Sequence, residues 1–125
     1  MKKVIATTNA PAAIGPYSQA VEVNGMIFIS GQVPVNPATG QLVSGGVREQ
    51  TTQCFSNIKA ILKEAGLTTN NVVKTTVFLS DMTYFAEMNE VYASNFEGAF
   101  PARSTIAVKG LPLNCMVEIE VIAVR

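Results

Sequence analysis

Phe100-Pro101-Ala102-Arg103-Ser104-Thr105 sets an arginine two residues after a proline, at the mouth of the strand-forming run Thr105-Ile106-Ala107-Val108. Pro101 holds its neighbourhood extended, so Arg103 is expected at the beginning of a strand rather than on a mobile tip. A guanidinium on rigid backbone can receive a carboxylate through two parallel hydrogen bonds. On a solvated edge the same side chain would make only a weak surface ion pair.

A second set of reactive groups lies near the C-terminus. Alternation along Val117-Glu118-Ile119-Glu120-Val121-Ile122-Ala123-Val124 puts Val117, Ile119, Val121 and Ala123 on one strand face. Glu118 and Glu120 share the other face with Ile122 and Val124. A carboxylate buried there needs a partner, or it becomes a proton carrier with a raised pKa; in water both are ordinary surface groups. Asn89 is the third anomaly. It falls on the apolar stripe Phe85, Met88, Tyr92, Phe96 of a predicted helix, where an unpaired amide costs roughly 1–3 kcal/mol. It either caps a neighbouring backbone group or reaches into a pocket.

Composition narrows the chemistry these groups can serve. The chain has 125 residues, 48% of them hydrophobic and 14% charged. That length fits one domain spanning 1–125, and so lean a surface favours contact with another chain. Nine basic and nine acidic residues cancel, and no Lys/Arg run marks a phosphate-tracking groove, so no nucleic-acid partner is expected. No stretch approaches membrane-spanning length. Met1-Lys2-Lys3-Val4-Ile5-Ala6 opens like a signal peptide, but Thr7-Thr8-Asn9 ends the apolar run too early, so a cytoplasmic location is expected. Without histidine there is no Ser-His-Asp or Cys-His arrangement and no His-ligated metal. Cys54 and Cys115 lack metal-site spacing, and Cys54 sits on an apolar helix face as a buried thiol. Catalysis would rest on carboxylates, arginine, tyrosine, hydroxyls, backbone amides and water, with neither metal nor cofactor.

The elements that must position these groups can be read in order. A short strand covers Lys3 to Thr7, and Ala10 to Pro16 is a loop punctuated by two prolines and a glycine, with Tyr17 directly after it. Ser18–Val23 and Met26–Ser30 are strands joined by Asn24-Gly25, the strongest hairpin signal in the chain. The second ends in Gly31-Gln32, where glycine allows close approach to the backbone. Val33 to Gly46 is a long loop with a turn over Asn36–Gly40. Val47 to Ala65 is the clearest helix, with Val47, Thr51, Cys54, Phe55, Ile58, Ile61, Leu62 and Ala65 at three- and four-residue spacing, stopped by Gly66. Val72–Leu79 is a strand with Val73, Thr75, Val77 and Leu79 on one face and Val72, Lys74, Thr76 and Phe78 on the other. A second helix, capped by Asp81 or Thr83, runs to about Phe96. The strand after Arg103, a loop through Gly110-Leu111-Pro112 and a strand from Met116 to Val124 complete the chain. Two helices cover only one face of a sheet this wide, so the other is wet or buried by neighbouring subunits. The apolar residues beside Glu118 and Glu120 favour burial.

Five motifs occur in order: Ile14-Gly15-Pro16-Tyr17-Ser18-Gln19-Ala20, Ser30-Gly31-Gln32-Val33-Pro34, Val73-Lys74-Thr75-Thr76-Val77-Phe78, Pro101-Ala102-Arg103-Ser104 and Val117-Glu118-Ile119-Glu120. Together they closely resemble the RidA group of the YjgF-type reactive-intermediate deaminase family, over essentially the whole chain. The resemblance implies a chorismate-mutase-like α+β fold, a six-stranded mixed sheet with two helices on one face. It implies a homotrimer with a central barrel-like core and active sites in the clefts between subunits. The implied reaction is hydrolysis of 2-imino acids and their enamine tautomers (2-iminopropanoate, 2-iminobutanoate) to 2-oxo acids and ammonia. Such substrates are products of pyridoxal-phosphate-dependent dehydratases acting on serine or threonine, which would be functional partners.

By the same resemblance Arg103 clamps the substrate carboxylate and Glu118 orients and activates the water. A protonated imine is reactive enough for a carboxylate base. Tyr17, Ser30, Gly31 and Asn89 match pocket positions. Thr105 stands where many relatives carry cysteine; a mainly main-chain contact there should tolerate threonine, with a change in substrate preference. Glu120 receives no chemical role, and Lys74 is its expected partner inside the trimer. Two rivals share the family. A non-catalytic trimer binding a small carboxylate as a signal would need Arg103 but not Glu118. A ribonuclease or translation inhibitor is opposed by the neutral charge, the missing histidine and the lack of an aromatic-basic stripe.

Overall fold

Asn24 and Gly25 adopt positive φ, 52° and 76°, and close the two-residue hairpin that an Asn-Gly pair encodes. The turn joins β2 (Ala20–Val23) to β3 (Met26–Gln32), with Val23 opposite Met26. In this computed structural model, which describes residues 1–125, β1 (Lys3–Ile5) pairs with the outer edge of β2. β4 (Val35–Asn36) and β5 (Gln41–Leu42) make a separate small ribbon. β6 (Val72–Leu79), β7 (Ala102–Ala107) and β8 (Val117–Val124) complete the main sheet, in the order β1-β2-β3-β8-β6-β7. Only β6 and β7 run parallel, so the sheet is mixed.

Two helices, α1 (Val47–Glu64) and α2 (Phe85–Ser94), lie on one face of this sheet. All eight apolar-stripe positions expected on the first helix, Val47 through Ala65, are buried. They meet Val117, Ile119, Val121 and Ala123 of β8, none more than 3% exposed. The alternation read from the last strand therefore holds, and burying its larger members Val117, Ile119 and Val121 stabilises the layer by roughly 1.5–3 kcal/mol each. Arg48 ties α1 to α2 through Glu87 and Glu90. The fold is the expected α+β arrangement. No helix is long and apolar enough to cross a membrane.

Several local expectations shift. The first two strands are shorter than the apolar pattern suggests, starting or ending at Ile5 and Ala20, because Gln19 turns inward to hold the intervening loop. The loop from Val33 to Gly46 contains the β4–β5 ribbon, closed by the expected turn, in which Asn36 Oδ1 accepts from the Ala38 N–H at 2.8 Å. The second helix ends at Ser94 rather than Phe96. Ser94 Oγ and Asn95 Nδ2 both donate to the Val91 carbonyl, at 2.6 and 2.8 Å, and so end the ladder with side-chain bonds.

The largest correction concerns β6. Val72 aligns with Ala123 and Lys74 with Ile122, so Val73 is an extra residue in a bulge. Val72 joins Thr75, Val77 and Leu79 on the buried face, and Val73 is 47% exposed. A second bulge lies in β3, where Ile29 opposes Val121 but Gln32 opposes Ile119. Ser30 and Gly31 occupy that irregularity. The sheet face away from the helices presents Met26, Phe28 and Ile106, all exposed: Met26 stands opposite Val124, Phe28 opposite Ile122, and Ile106 in one row with Phe78 and Glu118.

Candidate active site

Arg103 is the second residue of β7, an edge strand, and stands opposite Thr75 of β6. Thr75 points into the helix face, and so does Arg103. Its Nη1 donates to Asn89 Oδ1 at 2.6 Å, and its guanidinium carbon lies 4.6 Å from the Tyr92 ring centre and 5.6 Å from that of Phe85. Asn89 thus reaches a side chain rather than a backbone group. The chain contains three arginines. Arg48 is paired with two glutamates, and Arg125 grips the Glu22 carboxylate through two nitrogens, at 2.6 and 2.9 Å. Arg103 alone has no carboxylate within ion-pair distance. It borders a depression walled by Asn89, Tyr92, Ala93, Phe100 and Pro101. Thr105, two residues further along β7 and opposite Val77, carries a buried hydroxyl with no hydrogen-bond partner.

Glu118 occupies the other face of the sheet. It aligns with Phe78, between the fully buried Val117 and Ile119. The β3 bulge brings Gly31 beneath it: a Cβ on Gly31 would collide with Glu118 Oε2 and lie 2.9 Å from its Cδ. Burial pushes the Glu118 pKa up, and the charge of Glu120 adds to the shift. Ser30 is held by its Oγ, which donates to the Ser18 carbonyl at 2.6 Å. A broad groove on this face is lined by Tyr17, Ser30, Lys74, Thr76 and Glu120, among others. Lys74 and Glu120 form no ion pair within the chain.

Tyr17 is exposed, and its Oη accepts from the Ile14 N–H at 3.3 Å. The loop before it is anchored by Gln19, which is 4% exposed and donates to the carbonyls of Thr7, Ala10 and Pro11 while accepting from the Thr7 N–H. Sequence reasoning missed this anchor; a glutamine beside an Ala-Pro-rich loop carries no periodic signal. It also read Tyr92 and Phe85 only as core. Their helical spacing serves packing and Arg103 alike.

One chain therefore divides the expected site residues between two faces. Arg103, Asn89 and Thr105 lie on the helix side of the sheet edge; Glu118, Gly31, Ser30 and Tyr17 gather on the open side. Cys54 and Cys115 stay outside both groups. Both are buried, with their sulfurs directed at the Val117 carbonyl, and burial raises each thiol pKa. No cluster of His, Cys, Asp or Glu could hold a metal.

Fold and site define a two-layer α+β protein with a guanidinium free of any carboxylate at the sheet edge and a half-buried carboxylate on its open face. Residues 7–125 match the family model described as Endoribonuclease L-PSP, and the chain belongs to this family, the YjgF/RidA family. It is 56% identical, over its full length and 93% of the relative, to a mouse protein named 2-iminobutanoate/2-iminopropanoate deaminase. Among solved structures it is similar to YyfA of the conserved Rid family from Yersinia pestis, with TM-score 0.97, 50% identity and full coverage of both chains. It is also similar to Escherichia coli TdcF, solved with bound serine, with TM-score 0.94, 44% identity and 98% of each chain covered.

Proposed function

We propose that this protein is a cytoplasmic 2-iminobutanoate/2-iminopropanoate deaminase, acting as a cofactor-free homotrimer with its sites between subunits. The observation that carries the reading is Arg103, the one guanidinium without a carboxylate, held in place by Asn89. A substrate carboxylate would complete its coordination. With the carboxylate held, the adjacent C=N carbon is presented to a water on Glu118, whose raised pKa suits it to accept a proton. Water adds to carbon, and its proton passes to Glu118. The imine being protonated at the outset, the resulting carbinolamine is neutral, and Glu118 returns its proton to nitrogen. As the C–N bond breaks, the hydroxyl proton passes to the Glu118 carboxylate and on to the departing ammonia, releasing ammonium and the 2-oxo acid. Since Arg103 and Glu118 occupy opposite faces of one sheet, the reading joins Arg103 of one subunit to Glu118 of the next. The apolar open face supplies the contact surface.

Dehydratases that use pyridoxal phosphate on serine or threonine would supply the substrate. The direct test couples the purified protein to a threonine dehydratase and follows keto-acid release; a rate no faster than spontaneous hydrolysis would overturn the enzyme reading. A second reading, a trimer that binds a small carboxylate as a signal, is favoured by the solved relative with bound serine. It retains Arg103 and Asn89 and gives Glu118 no task.

A further inference from the structure

Tyr92 is connected to Arg103 twice over. Its ring lies beneath the guanidinium, 4.6 Å from centre to carbon. Its hydroxyl shares a 2.7 Å hydrogen bond with Thr75 Oγ1, and Thr75 is the β6 residue standing opposite Arg103 in the sheet. Backbone pairing, hydroxyl bond and ring contact thus form a closed loop that begins and ends on Arg103. Tyr92 cannot drift within it. It is 4% exposed and wedged against Phe55 and Phe96, at ring separations of 5.6 and 5.0 Å, and Thr75 is fully buried.

A buried tyrosine that only filled space would need its hydroxyl satisfied, and Thr75 does that. It would not need an unpaired guanidinium stacked on its face. An aromatic face attracts a cation without consuming its N–H donors, whereas a carboxylate partner would occupy the fork. We infer that Tyr92, pinned by Thr75, is a positioning residue that fixes the plane of the Arg103 guanidinium and leaves its donors free for a ligand carboxylate. The inference rests on the clamp role proposed above for Arg103. Asn89 takes one N–H and sets the rotation of the fork; Tyr92 sets its tilt. Without the platform, Arg103 at an edge strand would sample several rotamers, and each bound carboxylate would have to order it first.

The test uses the full-length protein with 2-oxobutanoate as the carboxylate probe. Tyr92→Leu removes the platform. The double variant Thr75→Val/Tyr92→Phe keeps shape and ring but removes both members of the hydroxyl bond, so no buried group is left unpaired. Binding by calorimetry should weaken about tenfold or more for Tyr92→Leu and about threefold for the double variant, the scale of a partly desolvated cation–ring contact. The melting temperature of the double variant should stay near wild type. The Arg103 Nε–Hε NMR resonance should be shifted by the ring in wild type, less so in the double variant, and should move furthest toward the free-arginine position in Tyr92→Leu, where only the more distant Phe85 ring remains. A purely structural role would not move this signal. If Tyr92→Leu does not fold, the double variant decides alone. Wild-type affinity and an unchanged Arg103 resonance in the folded variants, alongside lost binding in Arg103→Lys, would overturn the positioning role and leave the clamp standing. Retained binding in Arg103→Lys would overturn both.

Discussion

Gly31 lies so close beneath Glu118 that even a methyl group at Gly31 would occupy the space of the carboxylate, 2.9 Å from its Cδ. The contact arises from the β3 bulge, which turns one backbone unit toward the neighbouring strand. Gly31 does not adopt the left-handed backbone that strains other residues. Alanine there should therefore fold, with the Glu118 side chain pushed aside. Gly31→Ala is expected to lower turnover on the order of 10²-fold, the penalty for misplacing a reacting group by about 1 Å, with a melting temperature near wild type. Steady-state assays on 2-iminobutanoate beside calorimetry check both halves.

Arg103→Lys should leave the fold intact and abolish most activity. Lysine keeps the charge but loses the two-point fork and the guanidinium's contact with the Tyr92 ring. Truncating one member of a buried charge pair costs roughly 2–5 kcal/mol, and Arg103 becomes such a member once a ligand covers it. Near-normal kcat/KM in this variant would place the clamp elsewhere.

Parts of this arrangement were legible from the residues, and the gaps have physical causes. The period of α1 and the alternation of β8 are written directly into side-chain type, because burial selects on every position. The bulges at Gly31 and Val73 are not, since one extra residue in a ladder leaves no compositional trace. Parity within a strand is readable, but relative facing between strands depends on register. Hence Arg103 and Glu118 could both be singled out while their placement on opposite faces could not. Asn89 stood out because an amide breaks an apolar stripe; Tyr92 did not, because an aromatic belongs there.

Glu118→Gln separates enzyme from sensor and also reads out the electrostatics. Glutamine keeps the size and can hold a water, but it cannot accept a proton. Imine hydrolysis should fall by about 10²-fold or more, the scale of general base catalysis, while 2-oxobutanoate binding to Arg103 changes little. Equal activity in wild type and variant would exclude the general-base role. Stability follows from the raised pKa of Glu118. The folded state holds the proton more tightly than the unfolded state, so this group's favourable contribution is complete at acidic pH and is lost as pH rises through its folded pKa. The variant has no charge to bury. Its melting temperature relative to wild type should therefore rise between acidic and neutral pH, and a flat difference would contradict the shift. In wild type the acidic limb of kcat/KM should lie above the ordinary glutamate range.

Opposite-face placement of Arg103 and Glu118 makes a prediction about mixtures that neither variant makes alone. If each site takes Arg103 from one subunit and Glu118 from the next, Arg103→Lys and Glu118→Gln damage different halves of the same site. Trimers assembled from both chains contain some junctions at which the intact arginine of a Glu118→Gln chain meets the intact glutamate of an Arg103→Lys chain. With equal amounts and random assembly into a closed ring, about a quarter of junctions are whole. Unfolding and refolding the two inactive proteins together should therefore restore about a quarter of wild-type activity, while each refolded alone stays inactive. Light scattering on the same samples should give three chain masses. A monomer mass would remove the shared site outright. A trimer with no recovered activity, in a mixture shown by mass spectrometry to contain hybrid assemblies, would mean that arginine and glutamate act from one chain or in separate sites. Recovery near a quarter would place the chemistry at the junction between the edge strand of one subunit and the open sheet face of another.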